Sequence, residues 1–297
     1  MASAPQPNHE DVSDEESILD GIRYPSFVKG ANVRRIPQLE IRDDDIWLVT
    51  YPKTGTHWMK TIIYQLYNHN TPEGRGEKPP PFQNEYIPFV EFVDFKTGEP
   101  EIDKFMKIPT NKRRIISTHL QPHWLSKQYA DKKPKTIHIM RNPKDTAVSF
   151  FHFLRDVSLM KTRHNWDTYL EGFLSGDIPF GSYADFVNLW YDVSKKANVL
   201  NLLYEDLKKD LKGGVEVIAK YLEVDLSEAE VTTIAERCTF DAMKNEREAK
   251  TPKIASVVFR KGVTGGWKNA FTESQSEKFD KFFAKKWEHL DFKFQYE

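Results

Sequence analysis

The 297-residue sequence contains a single cysteine, Cys238. One thiol excludes an internal disulfide framework and a zinc site built on cysteines, and it fits a reducing compartment. Long apolar runs are missing too. No stretch approaches the length of a membrane span, and residues 1–16 are polar and acidic, without the charged-then-apolar order of a secretion signal. These absences predict a soluble cytoplasmic protein without membrane contact. Excess charge is also lacking: 43 Lys and Arg stand against 44 Asp and Glu, a formal net charge of −1. Nothing in that balance predicts general attraction to nucleic acid. The common phosphate loop, Gly-x-x-x-x-Gly-Lys-Ser/Thr, does not occur. No repeat or linker-like stretch divides the chain. We therefore expect one domain over 17–297, preceded by a tail, 1–16, whose acids, prolines and few apolar groups predict disorder.

What the chain does have is an alternation of two periodicities. Apolar, β-prone runs fall at 46–50, 114–118, 135–140 and 199–203. Three- and four-residue spacing marks helices from Thr56 onward, from about Lys144, and over 183–193, 207–222, 227–237 and 273–287. Strands alternating with helices predict an α/β domain with a central, mostly parallel sheet flanked by helices. The remainder reads as connection. Residues 18–45 are expected to wrap the domain as an extended segment, and 238–266 to form a loop. Residues 70–109, rich in proline yet still aromatic, are expected to form a long binding loop or lid.

The most informative stretch is Ile46–Lys60. A buried strand runs into Tyr51-Pro-Lys-Thr-Gly55, a turn in which Pro52 fixes φ and Gly55 permits a positive one. A helix begins at Thr56. Strand, tight turn and helix start make an anion site, because the first amides of a helix have no intrahelical partner and lie at the positive end of its dipole. Lys53 adds a charge, and Thr54 and Thr56 add hydroxyls. In a parallel sheet ligands sit beyond the carboxyl ends of the strands. The other candidate strands end at His119, Arg141 and Tyr204, so the four ends converge on one crevice if the strands are parallel neighbours.

The stretch from Tyr51 to Trp58 resembles the nucleotide loop of the cytosolic sulfotransferases, Tyr-Pro-Lys-Ser/Thr-Gly-Thr-x-Trp. Arg141-Asn-Pro-Lys-Asp145 with Ser149 is similar to that family's second cofactor element. Phe259-Arg-Lys-Gly262 followed by Gly265-Gly-Trp-Lys268 is similar to its C-terminal loop, Ser117-Thr-His119 to its catalytic histidine segment, and Pro88–Phe92 to part of its acceptor pocket. The resemblance runs from about Gly21 to Phe294. It implies a P-loop-like sulfotransferase fold and transfer of a sulfuryl group from 3′-phosphoadenosine-5′-phosphosulfate (PAPS) to the hydroxyl or amine of a small apolar acceptor, with 3′-phosphoadenosine-5′-phosphate (PAP) as product and no metal. It implies that His119 is the general base, its imidazole ionising near neutral pH, and that Lys53 stabilises the leaving phosphate. Cofactor contacts are implied for Lys53, Thr54, Gly55, Thr56, His57, Trp58, Arg141, Ser149, Tyr204, Cys238, Phe240, Arg260, Lys261 and Gly262, with Trp58 and Phe240 stacking on the adenine. Acceptor contacts are implied for Phe27, Phe89, Phe92 and Phe153.

The sequence departs from the family pattern at four places. Ser117 stands where many members have lysine, His57 where Thr, Ser or Asn is usual, and Cys238 where threonine is common. Residues 268–277 resemble the short homodimerisation motif, but Glu273 replaces its valine. The alternatives are a non-catalytic binding protein on the same fold, or a kinase-like phosphoryl transferase.

Overall fold

Four parallel strands carry the site. The computed structural model describes residues 17–68, 87–94, 97–156, 165–250, 255 and 259–297. The expected disorder of residues 1–16 lies outside them, as do parts of the 70–109 and 238–266 connections. Within the described chain, β1 (Ser17–Leu19) and β2 (Ile22–Tyr24) form an antiparallel hairpin. Next come a short helix α1 (Gly30–Val33), strand β3 (Ile46–Thr50) and helix α2 (Thr56–Asn68). Helix α3 (Glu101–Lys107), β4 (Ile115–Thr118), α4 (Lys127–Lys132), β5 (Lys135–Met140) and α5 (Pro143–Asp156) follow. Then come α6 (Trp166–Ser175), α7 (Tyr183–Ser194), β6 (Val199–Leu203), α8 (Tyr204–Lys209) and α9 (Leu211–Leu222). Helices α10 (Glu228–Arg237), α11 (Phe240–Lys250) and α12 (Glu273–Lys286) complete the order.

The main sheet runs β4-β3-β5-β6, parallel throughout, with Leu48 opposite both Ser117 and Ile137. Strand β3 is buried along its whole length. It still alternates: Trp47 and Val49 join the aromatic cluster on one face, and Ile46 and Leu48 join the aliphatic cluster on the other. A parallel strand covered by helices on both sides has no polar face to show. Trp190, Phe186, Phe173 and Phe279 fill the first layer. Met59, Ile62 and Ile63 of α2 fill the second, with Ile218 and Ile234.

Three expectations need correction. Residues 18–45 are not simply extended: Asp20 and Gly21 both take positive φ, 49° and 76°, the geometry of a tight two-residue hairpin turn. The helix expected over 207–222 breaks at Asp210, whose backbone leaves the helical region and whose carboxylate caps α9 through the Gly213 amide. The 238–266 connection contains α11. Only Met243 of that helix is buried, so there was no apolar stripe to read.

Candidate active site

The four strand ends meet on one edge, and each delivers a different kind of group. After β3 the chain turns sharply. Lys53 adopts a left-handed φ of 71° and Gly55 a φ of 123°. A side chain at position 55 would bring its Cβ within 2.9 Å of Ile139 Cδ1 and 3.2 Å of Tyr204. Glycine is therefore required twice over, by backbone angle and by space. The Thr54 hydroxyl turns inward, donating to the carbonyls of Tyr51 at 2.8 Å and Ile139 at 3.1 Å. It holds the turn together and leaves the α2 amides as the anion-facing groups. Lys53 Nζ lies 4.7 Å over the Phe153 ring. Burial, then the charges of Arg141 and Arg260, push its ammonium down to about 8.

His119 follows β4 and is almost fully buried. Its backbone amide donates to Glu91 Oε1 at 2.7 Å. Its Nδ1 is 2.7 Å from the Thr50 carbonyl oxygen and 3.0 Å from Thr50 Oγ1. A carbonyl can only accept, so Nδ1 carries the proton and Nε2 presents its lone pair. The Thr50 hydroxyl also pairs with that of Thr56, 2.8 Å away. One polar chain thus joins the imidazole to the first residue of α2. Burial pushes His119 down to about 3, with Lys60 and Lys53 adding to the effect and the Thr50 hydrogen bond opposing it. The expectation that this imidazole ionises near neutral pH is therefore corrected: the ring is neutral at pH 7, and burial beside two cations makes its Nε2 a weaker base than a free imidazole until an anion enters the pocket.

Aromatic rings surround the imidazole. Phe89 lies 4.3 Å from the imidazole centroid, Phe180 5.3 Å and Phe92 6.1 Å. Phe27 packs on Phe92 at 4.6 Å. A bridge between Phe89 and Ser117 sets this wall against β4, with Val90 donating to the Ser117 carbonyl. Phe153 lies under Lys53 and packs against the same core cluster as Phe27 and Phe89. Phe180 was missed by sequence reasoning. Its signal was an aromatic residue immediately before Gly181 in a turn, and it holds a φ of 68°, which is strained for such a side chain.

Arg141, after β5, is buried beside the loop. One terminal nitrogen donates to Val263 O at 2.8 Å, the guanidinium lies 4.4 Å over the Tyr204 ring, and its Nε has no hydrogen-bond partner among the described residues. Arg260 Nε is unpartnered in the same sense, and the charge of Arg141 adds to burial in lowering the Arg260 guanidinium. Two orphaned guanidinium donors whose charges both oppose that of Lys53 fit an anion such as a phosphate. Ser149 is half-buried on α5, one turn before Phe153. Lys261 is exposed, and Gly262 takes a φ of 61° against the Phe240 ring.

Asp145, also missed, ties the C-terminal loop down. It accepts from the Gly265 amide at 2.8 Å and the Trp267 amide at 2.9 Å. Trp58 spends its indole N–H on the Cys238 carbonyl at 2.8 Å and meets Tyr204 edge-to-face at 5.0 Å. Cys238 itself is fully buried. His57 opens α2 beside Lys60, Lys53, Arg247 and His119, and burial with these charges holds its imidazole well below the ordinary range.

Comparison with known proteins gives the constellation a family. The sulfotransferase domain model matches residues 43–291. The chain is 34% identical over 279 residues to sulfotransferase 6B1 of Danio rerio, covering 93% of this chain and 90% of that protein. It is 32% identical over 276 residues to amine sulfotransferase of Oryctolagus cuniculus, covering 88% and 87%. Among solved structures it is similar to mouse sulfotransferase SULT7A1 complexed with PAP, with a TM-score of 0.77, 33% identity, and coverage of 93% of this chain and 95% of that one. The chain belongs to the sulfotransferase family and is a transferase of that type.

Proposed function

We propose that this enzyme transfers the sulfuryl group of PAPS to the hydroxyl, or amine, of a small apolar acceptor, releasing PAP. The observation that carries the reading is the tautomer of His119: the Thr50 carbonyl holds the proton on Nδ1, so Nε2 carries the lone pair of an imidazole packed among aromatic side chains. An acceptor lying against Phe89, Phe92, Phe27 and Phe180 gives its proton to Nε2 as its oxygen or nitrogen bonds to sulfur. Lys53 and the amides that open α2 oppose the negative charge left on the 5′-phosphate. Arg141, Arg260, Ser149 and the Gly262 backbone take the 3′-phosphate. Trp58, Tyr204 and Phe240 border the adenine, with the Cys238 carbonyl holding Trp58 in place. Thr54 acts by shaping the loop, and Lys261 supplies charge from the rim.

A bound PAP complex of a relative at 33% identity supports the nucleotide assignment. A cytoplasmic location is part of the proposal, supported by the single cysteine; among the described residues no helix is long and apolar enough to cross a membrane. The reading is tested by His119→Ala with labelled donor and a panel of a phenol, a hydroxysteroid, an aliphatic alcohol and an aryl amine. Removal of the base is expected to cost about 10²–10⁴ in turnover, with PAP still stabilising the protein in a thermal melt. Turnover near the wild-type rate on a good acceptor removes His119 from the role of base.

A further inference from the structure

A buried lysine that the reaction does not use lies behind the acceptor wall. Lys60 is on α2, one turn after Thr56, between Met59 and Ile62, and is 6% exposed. Taking an ammonium out of water costs several kcal/mol unless it is paired, and an apolar side chain would fill this face of α2 without that cost. Lys60 Nζ instead donates to the Ile87 carbonyl oxygen at 2.5 Å. It lies 3.5 Å over the centroid of the Phe89 ring. Among the described residues, its charged neighbours come from several segments. Burial lowers its ammonium to about 7; Glu91 in the 87–94 segment and Glu101 on α3 oppose that shift, and Arg247 on α11 adds to it. His57 on α2 and His119 after β4 both feel its charge.

Two further contacts make the placement pointed. Phe89, on which the ammonium rests, is itself tilted against the His119 imidazole at 4.3 Å and stacked on Phe92 at 4.4 Å. The carbonyl that Lys60 holds is also approached by Ser117 Oγ at 3.4 Å, and Ser117 donates to Pro88 O at 2.6 Å. The 87–89 turn is therefore gripped from two sides, by α2 and by β4. One ring then transmits that grip to the base.

We propose that Lys60 is a positioning residue for the reaction: from α2 its ammonium fixes the Ile87 carbonyl and the Phe89 ring, and Phe89 in turn sets the orientation of the His119 imidazole. Through it the helix that opens on the nucleotide loop and the wall of the acceptor pocket are held in one register. The inference rests on the sulfuryl-transfer reading for its meaning, but its test does not need turnover.

The experiment is carbon–proton NMR of the protein labelled in histidine, at about pH 6 so that Lys60 is charged, with and without PAP, the His119 signal being assigned by its loss in His119→Gln. An aromatic ring at van der Waals distance displaces the imidazole resonances. Lys60→Met is expected to move the His119 signals toward those of an unstacked imidazole, and Lys60→Arg, which keeps a cation on the ring, to leave them near the wild-type positions. His138 is the internal control. It sits in β5 against Phe186 and Trp190, so general loosening displaces it and a local effect does not. Phe89→Leu provides a second route should Lys60→Met not fold: it removes the intermediary and is expected to shift His119 in the same direction. The kinetic counterpart, with PAPS and 2-naphthol, is a fall in kcat of roughly tenfold or more with the PAP dissociation constant within about twofold, as expected for misplacement of a catalytic group. His119 signals that stay unchanged in both Lys60→Met and Phe89→Leu, or that move no more than those of His138, overturn the proposal. If wild-type protein turns over no acceptor while His119 responds as described, the sulfuryl-transfer reading fails and the positioning role stands.

Discussion

The two charged or chargeable groups at the centre, His119 and Lys53, are both shifted by burial, and the shifts set a pH profile. The His119 imidazole is pushed from 6.5 to about 3, so it stays neutral down to well below pH 6 and its base form is not lost there. Lys53 is pushed from 10.5 to about 8, so the ammonium is intact below that pH and is lost above it. The profile of kcat/KM for the donor, which reports the free enzyme, is expected to show no acid limb near 6.5 and to fall as pH rises through about 8. Saturating PAPS places an anion beside Lys53 and favours its charged form, so the alkaline limb of kcat lies at higher pH than that of kcat/KM. Steady-state rates in overlapping buffers from roughly pH 5 to 10, which span the ordinary imidazole value of about 6.5 and the lowered Lys53 value of about 8, check both limbs. An acid limb at about 6.5 in kcat/KM contradicts the burial argument for His119. Residue identity told much of this from sequence alone, because Lys53 and His119 stand in motifs. What it did not tell is how they are held. Thr50 contributes a carbonyl and Glu91 an oxygen to His119 from separate segments, and no spacing rule connects them.

At the scale of elements, the core of the sheet was legible because β3 and β5 are short apolar runs bounded by turn residues, and the structure returns Ile46–Thr50 and Lys135–Met140 at the expected positions. Elements that bury little were not legible. Helix α11 has one buried residue, and the β1–β2 turn depends on two backbone conformations rather than on a pattern. The C-terminal loop shows the same limit. Its arginine and glycines were readable, whereas its anchor is Asp145, 120 positions before Gly265 in the chain. That carboxylate is almost fully buried and satisfies two loop amides and the Asn142 side chain. Asp145→Ala leaves two backbone donors unpaired, at a cost of about 1–3 kcal/mol each if they stay buried. The loop that carries Arg260 is then free to move. PAP affinity is expected to fall about tenfold, equivalent to about 1.4 kcal/mol, with a smaller loss in urea-unfolding midpoint, because the sheet is untouched. Calorimetric titration of PAP into the variant decides this. An affinity equal to wild type means that the loop is held by something other than Asp145.

For the whole molecule the open question is whether two copies associate through residues 268–277. In a two-fold interface the same segment meets its own copy, so a residue near the axis is present twice. Here that segment is already engaged within one chain. Thr272 caps α12 by accepting from the Gln275 amide, the Gln275 side chain accepts from the Thr272 amide, and Lys268 pairs with Glu297 at 2.5 Å. Glu273 is exposed at the first turn of α12, where a carboxylate suits the helix dipole. Bringing two copies of that carboxylate into one apolar contact requires their desolvation and adds like-charge repulsion, together several kcal/mol against association. We therefore expect a monomer at micromolar concentration in multi-angle light scattering. Glu273→Val removes the penalty, restores an apolar contact and is expected to strengthen self-association by at least about tenfold, or about 1.4 kcal/mol, with little effect on PAP binding, since Arg260 and Asp145 are unchanged. Sedimentation equilibrium of the two proteins side by side gives the comparison. A wild-type dimer as tight as that of Glu273→Val shows that association uses another surface and that the motif, in this chain, serves only as a helix cap.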